Sequence, residues 1–106
     1  RSLVSVNLEK NAINSEGAVS LGAALKKNVS IQFLNLYTTR LGYSLEGALC
    51  GKGVECLSEA LRVNKTLVGI NLANNSIQSS GFVALAESLV MNKYLCFIHC
   101  GELHSE

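Results

Sequence analysis

Proline is absent from these 106 residues. A globular chain of this size ordinarily carries several, and a chain without them suits a regular object in which each backbone N–H keeps a standard partner. Neither sign of charge is in excess: nine Lys and Arg against eight acidic residues leave +1. Phosphate binding needs a clustered positive field, so composition makes no case for nucleic acid or an anionic membrane. No uninterrupted apolar run reaches the length of a membrane span. The opening Arg1-Ser2-Leu3 lacks the basic, apolar and small-residue layout of a signal peptide. It also lacks an initiator Met, so we expect a piece of a longer array. Hydrophobic residues make up 48% and charged residues 16%, enough apolar material to pack a core rather than stay disordered.

What is present is an internal repeat. Leu3-Val4-Ser5-Val6-Asn7-Leu8-Glu9-Lys10-Asn11-Ala12-Ile13 aligns with Leu67-Val68-Gly69-Ile70-Asn71-Leu72-Ala73-Asn74-Asn75-Ser76-Ile77. Ile31 to Leu41 lies between them, and Leu95 to Cys100 begins a further copy. The steps from Leu3 to Ile31 and from Leu67 to Leu95 are 28 residues, and that from Ile31 to Leu67 is 36, so the middle copy holds eight extra. Later positions recur too: Gly17, Gly53 and Gly81; Leu21, Leu57 and Leu85; Leu25, Leu61 and Leu89; Asn28, Asn64 and Asn92. Such self-similarity marks a repeat architecture.

Spacing assigns each half. Val6 and Leu8, Leu34 and Leu36, and Ile70 and Leu72 sit two apart, the period of a strand facing one side. Leu21 and Leu25, with their later counterparts, sit four apart on one helix face. Ser15 and Ser79 stand where an N-cap would accept a first-turn N–H. The closing asparagines suit the left-handed geometry that ends a helix. Each copy therefore reads strand, turn, helix, turn, and stacked copies bury a core between a parallel sheet and a helix layer that one copy could not bury alone. We expect one domain over 1–106, with units at 1–30, 31–66 (the insertion near 42–50), 67–94 and a partial unit at 95–106.

The pattern L-x-x-L-x-L-x-x-N-x-I, followed by G-A-x-x-L-x-x-A-L-x-x-N-x-S, resembles the ribonuclease-inhibitor-like leucine-rich repeats. It is most similar to the C-terminal repeats of NOD-like receptors, the CARD-containing type-3 group in particular. Leu3–Ser30 and Leu67–Tyr94 carry the resemblance most closely. It implies an α/β solenoid, a short right-handed horseshoe with the parallel sheet concave and the helices convex. It also implies an asparagine ladder in which Asn11 and Asn75 hydrogen-bond backbone where strand becomes loop. Thr39 takes that place in the middle copy and Leu103 in the last, so the ladder is expected to be imperfect.

Residues alternating with the core positions face the concave side. Phe33, Tyr37 and Phe97 are large apolar groups there, and exposed aromatics are good protein-binding anchors. Asn7, Asn35 and Asn71 form a polar stripe beside them, with His99 alongside. Covering by long neighbours is the competing expectation. The insertion reads as a tolerated turn on the rim. Its Gly47-Ala48-Leu49-Cys50-Gly51-Lys52-Gly53 superficially resembles a phosphate-binding loop, but the glycine spacing is one short and Gly53 replaces the magnesium-holding Ser or Thr.

Cys50, Cys56, Cys96 and Cys100 read as reduced thiols of a cytoplasmic protein, Cys100 as a small core hydrophobe. Cys96, His99, Cys100 and His104 invite a zinc reading. On a strand, however, His99 and Cys100 point to opposite faces, so no metal or cofactor is expected. Three Asn-x-Ser/Thr triplets are explained by the repeat itself. No nucleophile–base arrangement is apparent. The expected function is non-enzymatic protein binding, either ligand recognition or autoregulation in a NOD-like-receptor-type protein. The alternatives are a GTPase-activating repeat domain of the nuclear-transport type, though no acidic tail is visible, and a structural spacer. With no polar cap at either end of the array, self-association through the ends is also expected.

Overall fold

The computed structural model describes residues 4–100. Seven elements follow in order: β1 Ser5–Asn7, α1 Asn14–Lys27, β2 Phe33–Asn35, α2 Lys52–Val63, β3 Gly69–Asn71, α3 Ser79–Met91 and β4 Phe97–His99. The strands form one parallel sheet in the order β1-β2-β3-β4. Ser5 pairs with Phe33, Phe33 with Gly69, and Gly69 with Phe97. These register pairs lie 28, 36 and 28 residues apart, the same offsets at which the sequence repeats. A register slip of one residue would turn every core side chain outward.

Leu34, Leu36, Ile70 and Leu72 from the strands and strand ends meet Leu25, Val54, Leu57, Leu61 and Leu85 from the helices in one core. The helices lie side by side, and small residues let them approach. A Cβ on Gly22 would stand 2.8 Å from the Cys56 carbonyl oxygen, so the α1–α2 contact requires glycine there.

Three local expectations are corrected. Ser15 and Ser79 are not N-caps: Ile13 and Gln78 precede the two helices, and neither makes a side-chain cap. Ser15 lies inside the first turn of α1, where its Oγ accepts the Gly53 N–H of the neighbouring helix at 2.8 Å. It therefore caps α2, not its own helix. The closing asparagines are not left-handed: Asn28, Asn64 and Asn92 have φ of −75°, −70° and −91° with extended ψ. Their side chains end the helices instead. Oδ1 accepts the N–H groups two and three residues on, as Asn64 does from Thr66 at 2.9 Å and Leu67 at 2.7 Å.

Left-handed backbone falls elsewhere, at Lys10, Thr38 and Asn74, each two residues past the last core leucine of its strand. The asparagine closing each strand prepares this turn: Asn7, Asn35 and Asn71 each accept, at 3.0 Å, the N–H two residues on.

The insertion is more than a rim turn. Tyr43 and Leu49 bridge antiparallel, and the Tyr43 carbonyl accepts the Ser15 N–H at 2.8 Å. Glu16 accepts the Leu45 N–H at 3.1 Å. The insertion thus satisfies the Ser15 N–H at the start of α1, one of those a helix leaves without internal partners, and donates a backbone N–H to Glu16 in return. Ser15, already bound to Gly53, also donates to Cys50 Sγ at 3.4 Å.

Candidate functional site

The sheet face turned away from the helices carries the residues singled out from sequence. Phe33 and Phe97 stand two strands apart, yet their ring centroids are 6.3 Å apart at a tilt of 34°. They meet because Gly69 lies between them in register. A Cβ on Gly69 would collide with the Phe97 ring. Phe33 is half-buried by this arrangement, whereas Phe97 keeps 51% of its surface exposed.

Ser5, Phe33, Asn35, Gly69, Asn71 and Phe97 line a shallow groove of ≈ 150 Å³ floored by Leu34 and Ile70. It has room for one apolar side chain. Asn35 and Asn71 commit Oδ1 to their own backbone, which fixes the orientation of the side-chain amides. Asn35 Nδ2 donates to Glu9 Oε1 at 3.1 Å, while Asn71 Nδ2 has no partner among the described residues. The groove therefore offers an aromatic wall and an oriented amide above the sheet backbone at Leu34 and Ile70, whose side chains are in the core on the other face, and this suits holding a protein side chain.

The remaining candidates do not converge on it. Tyr37 is half-buried two residues beyond the end of β2 and does not line the groove. Asn7 and His99 are exposed on the outer strands, also off the groove. The three strand-end asparagines, read from sequence as a polar stripe, have a backbone task as well, which accounts for their recurrence.

Asn75 is buried and serves as the middle of a ladder. Its Nδ2 donates to the carbonyls of Leu36 at 2.7 Å and Leu72 at 3.1 Å, and its Oδ1 accepts Thr39 N–H at 2.8 Å and Leu41 N–H at 3.2 Å. Asn11 is exposed and binds only its own unit, through the carbonyls of Leu8 and Glu9. Thr39 is fully buried, but its hydroxyl reaches only Leu36 O at 2.8 Å and Asn75. The link back to the first unit is backbone instead, from the Ile13 and Asn14 N–H groups to Thr39 O.

Sequence reading missed a second ladder at the helix ends. Asn64 Nδ2 donates to Leu25 O at 2.8 Å and Asn28 O at 3.2 Å, and Asn92 Nδ2 repeats both bonds one unit on, to Leu61 O and to Asn64 O at 2.9 Å. The signal was the recurrence of Asn28, Asn64 and Asn92, taken for a local cap.

All four cysteines are free thiols. The hydrogen bond from Ser15, helped by the Lys52 backbone N–H, holds Cys50 below a thiol's ordinary value, whereas burial pushes Cys100 up. Among the described residues no three His, Cys or Glu side chains gather as a metal site; His104 of the proposed zinc set lies outside the described residues. The Gly47–Gly53 stretch leaves no free amide cradle at Gly53, whose N–H is taken by Ser15. No described helix is long and apolar enough to cross a membrane.

No family model matches the chain, and no curated protein matches it. Thirteen solved chains do. One of them, described as Leiomodin-1 Actin-Binding Site 2 (ABS2), is similar over 93% of this chain with a TM-score of 0.75 and 24% identity. This chain spans 57% of that one. At such identity the likeness is one of fold: a small α/β domain with a four-stranded parallel sheet and three helices.

Proposed function

We propose that this chain is a leucine-rich-repeat segment of the ribonuclease-inhibitor-like kind that binds a protein partner through its open sheet face, without catalysis. The observation that carries this reading is the Phe33–Phe97 pair closing over Gly69 beside an oriented asparagine amide. Exposed aromatics in a packed, partly desolvated groove supply most of the energy at protein interfaces. The solved neighbour's description names an actin-binding site, and this supports a protein partner as the class of ligand. The repeat wording supports a cytoplasmic NOD-like-receptor type of setting, in which the segment would recognise a ligand or hold the receptor inactive.

The outer face of α3 is open. Leu25 and Leu61 are buried under the next helix, whereas their counterpart Leu89 on α3 is 42% exposed. Further repeats or a second copy would cover it.

The test is affinity capture with the wild-type chain and a Phe33→Ala, Phe97→Ala double variant shown by circular dichroism to be folded at the assay temperature. Purified actin is included as a defined probe. Loss of a captured protein from the double variant supports binding through this face. An unchanged set of captured proteins removes the face and leaves the structural-spacer reading.

A further inference from the structure

The near-neutral composition hides a cluster of cations. Lys26, Lys27 and Arg62 close the last turns of α1 and α2, and Lys65 and Lys93 follow in the helix-to-strand loops. These five of the nine basic residues lie along one edge of the molecule. Glu9, Glu16, Glu46 and Glu55 lie on the strand-to-helix side, at the opposite ends of the helices, together with Lys10, Arg40 and Lys52, so that side is nearly balanced and the excess of positive charge lies at the helix C-termini. The two other described acids are Glu59 and Glu87, on α2 and α3. Glu59 meets Lys26 at 3.9 Å with both side chains largely in solvent, a pairing that holds little energy. Lys27, Arg62, Lys65 and Lys93 have no ion-pair partner among the described residues.

Along this edge the ends of α2 and α3 enclose a cleft of ≈ 590 Å³ lined by Arg62, Val63, Lys65, Met91, Lys93 and Tyr94, with no acidic residue in its wall. Val63, Met91 and Tyr94 are 54%, 59% and 52% exposed, so apolar surface lies open among three cations. The carbonyls at a helix C-terminus ordinarily repel an anion. Here those of α2 are partly spent: Asn92 Nδ2 binds Leu61 O and Asn64 O.

The geometry points to this cleft as a docking site for an acidic segment of a protein partner, one that carries an apolar or aromatic side chain between carboxylates. The cations attract and orient the carboxylates, and the Val63–Met91–Tyr94 surface takes the side chain. A nucleic-acid backbone would leave that apolar surface unused. The site lies at the helix ends, off the Phe33–Phe97 groove, and does not depend on that groove's function.

The probe is a short fluorescent peptide with alternating Glu residues around a central Phe, titrated into the whole chain and followed by anisotropy. Binding should weaken with salt. It should fall about tenfold or more in a Lys65→Glu, Lys93→Glu variant. A Lys10→Glu, Lys52→Glu variant, equal in net charge but altered on the other edge, should bind as wild type. Tyr94→Ser should weaken the Phe peptide but not its Phe→Ser analogue. Lys65, Lys93 and Tyr94 are exposed, so unchanged circular dichroism confirms that each variant folds. Absence of binding overturns the proposal. So do equal losses in the two charge-reversal variants, equal affinity for the Gln version of the peptide, or tighter binding of duplex DNA or phosphatidylserine vesicles than of the peptide.

Discussion

Phe33 and Phe97 touch across a strand that contributes no side chain between them: their rings lie 6.3 Å apart over Gly69. A pair at this separation is worth about 0.5–1.5 kcal/mol beyond its buried area. Gly69→Ala should drive the Phe97 ring away and open the groove. We expect a stability loss of about 1 kcal/mol, within the range for an aromatic pair, together with weaker partner capture. Denaturant melts alongside capture assays check both. Full stability with intact capture would mean that the rings do not depend on the bare strand.

The two ladder asparagines should respond very differently to removal. Asn75→Ala leaves the Thr39 and Leu41 N–H groups buried without their partner and takes from the Leu36 carbonyl one of its two donors, the other being the Thr39 hydroxyl. Each such group costs about 1–3 kcal/mol, so a loss of about 3 kcal/mol or more is expected in urea unfolding. Asn11→Ala removes exposed bonds within one unit and should cost less than about 1 kcal/mol. Similar losses at the two positions would sink the ladder account.

Ser15 joins two effects in one hydroxyl. Ser15→Ala removes the acceptor of a buried Gly53 N–H, so about 1–2 kcal/mol of stability should go. It also removes the donor that lowers the Cys50 thiol. Near neutral pH a lowered thiol carries more thiolate. Cys50 should therefore alkylate faster than Cys100, which burial pushes the other way, and should slow in the Ser15→Ala variant. In stability terms the signs are opposite. The Cys50 contribution is present at pH above the unfolded thiol value and is lost as pH falls through its lower folded value. The Cys100 contribution is present below the unfolded value and is lost as pH rises towards its raised folded value. Mass-spectrometric labelling at several pH values reads the order.

Equivalent leucines should differ according to whether a helix follows. Leu61→Ala, at a fully buried site, should cost about 2–5 kcal/mol. Leu89→Ala, 42% exposed, should cost less than about 1.5 kcal/mol, and Leu89→Lys should suppress any concentration-dependent association seen by sedimentation. Association that persists in Leu89→Lys would exclude the α3 end as the contact.

Much of the fold can be read from sequence because repetition and register are the same fact: a unit that resembles another 28 or 36 residues away also lies beside it, strand on strand. Apolar period likewise reports which side of a strand or helix is buried, and Leu34, Leu36, Ile70 and Leu72 lie in the core as their spacing requires. Period says nothing about which polar atom answers which across units. That Ser15 caps the neighbouring helix, that Asn64 and Asn92 reach back to the carbonyls of the unit before, and that Phe33 finds Phe97 were settled only in three dimensions. Each joins groups 28 to 64 residues apart, and each depends on how closely neighbouring units stack and where a side chain points. The cluster of cations at the helix C-termini belongs to the same class, since a net charge of +1 carries no information about which edge of the molecule holds the excess of positive charge.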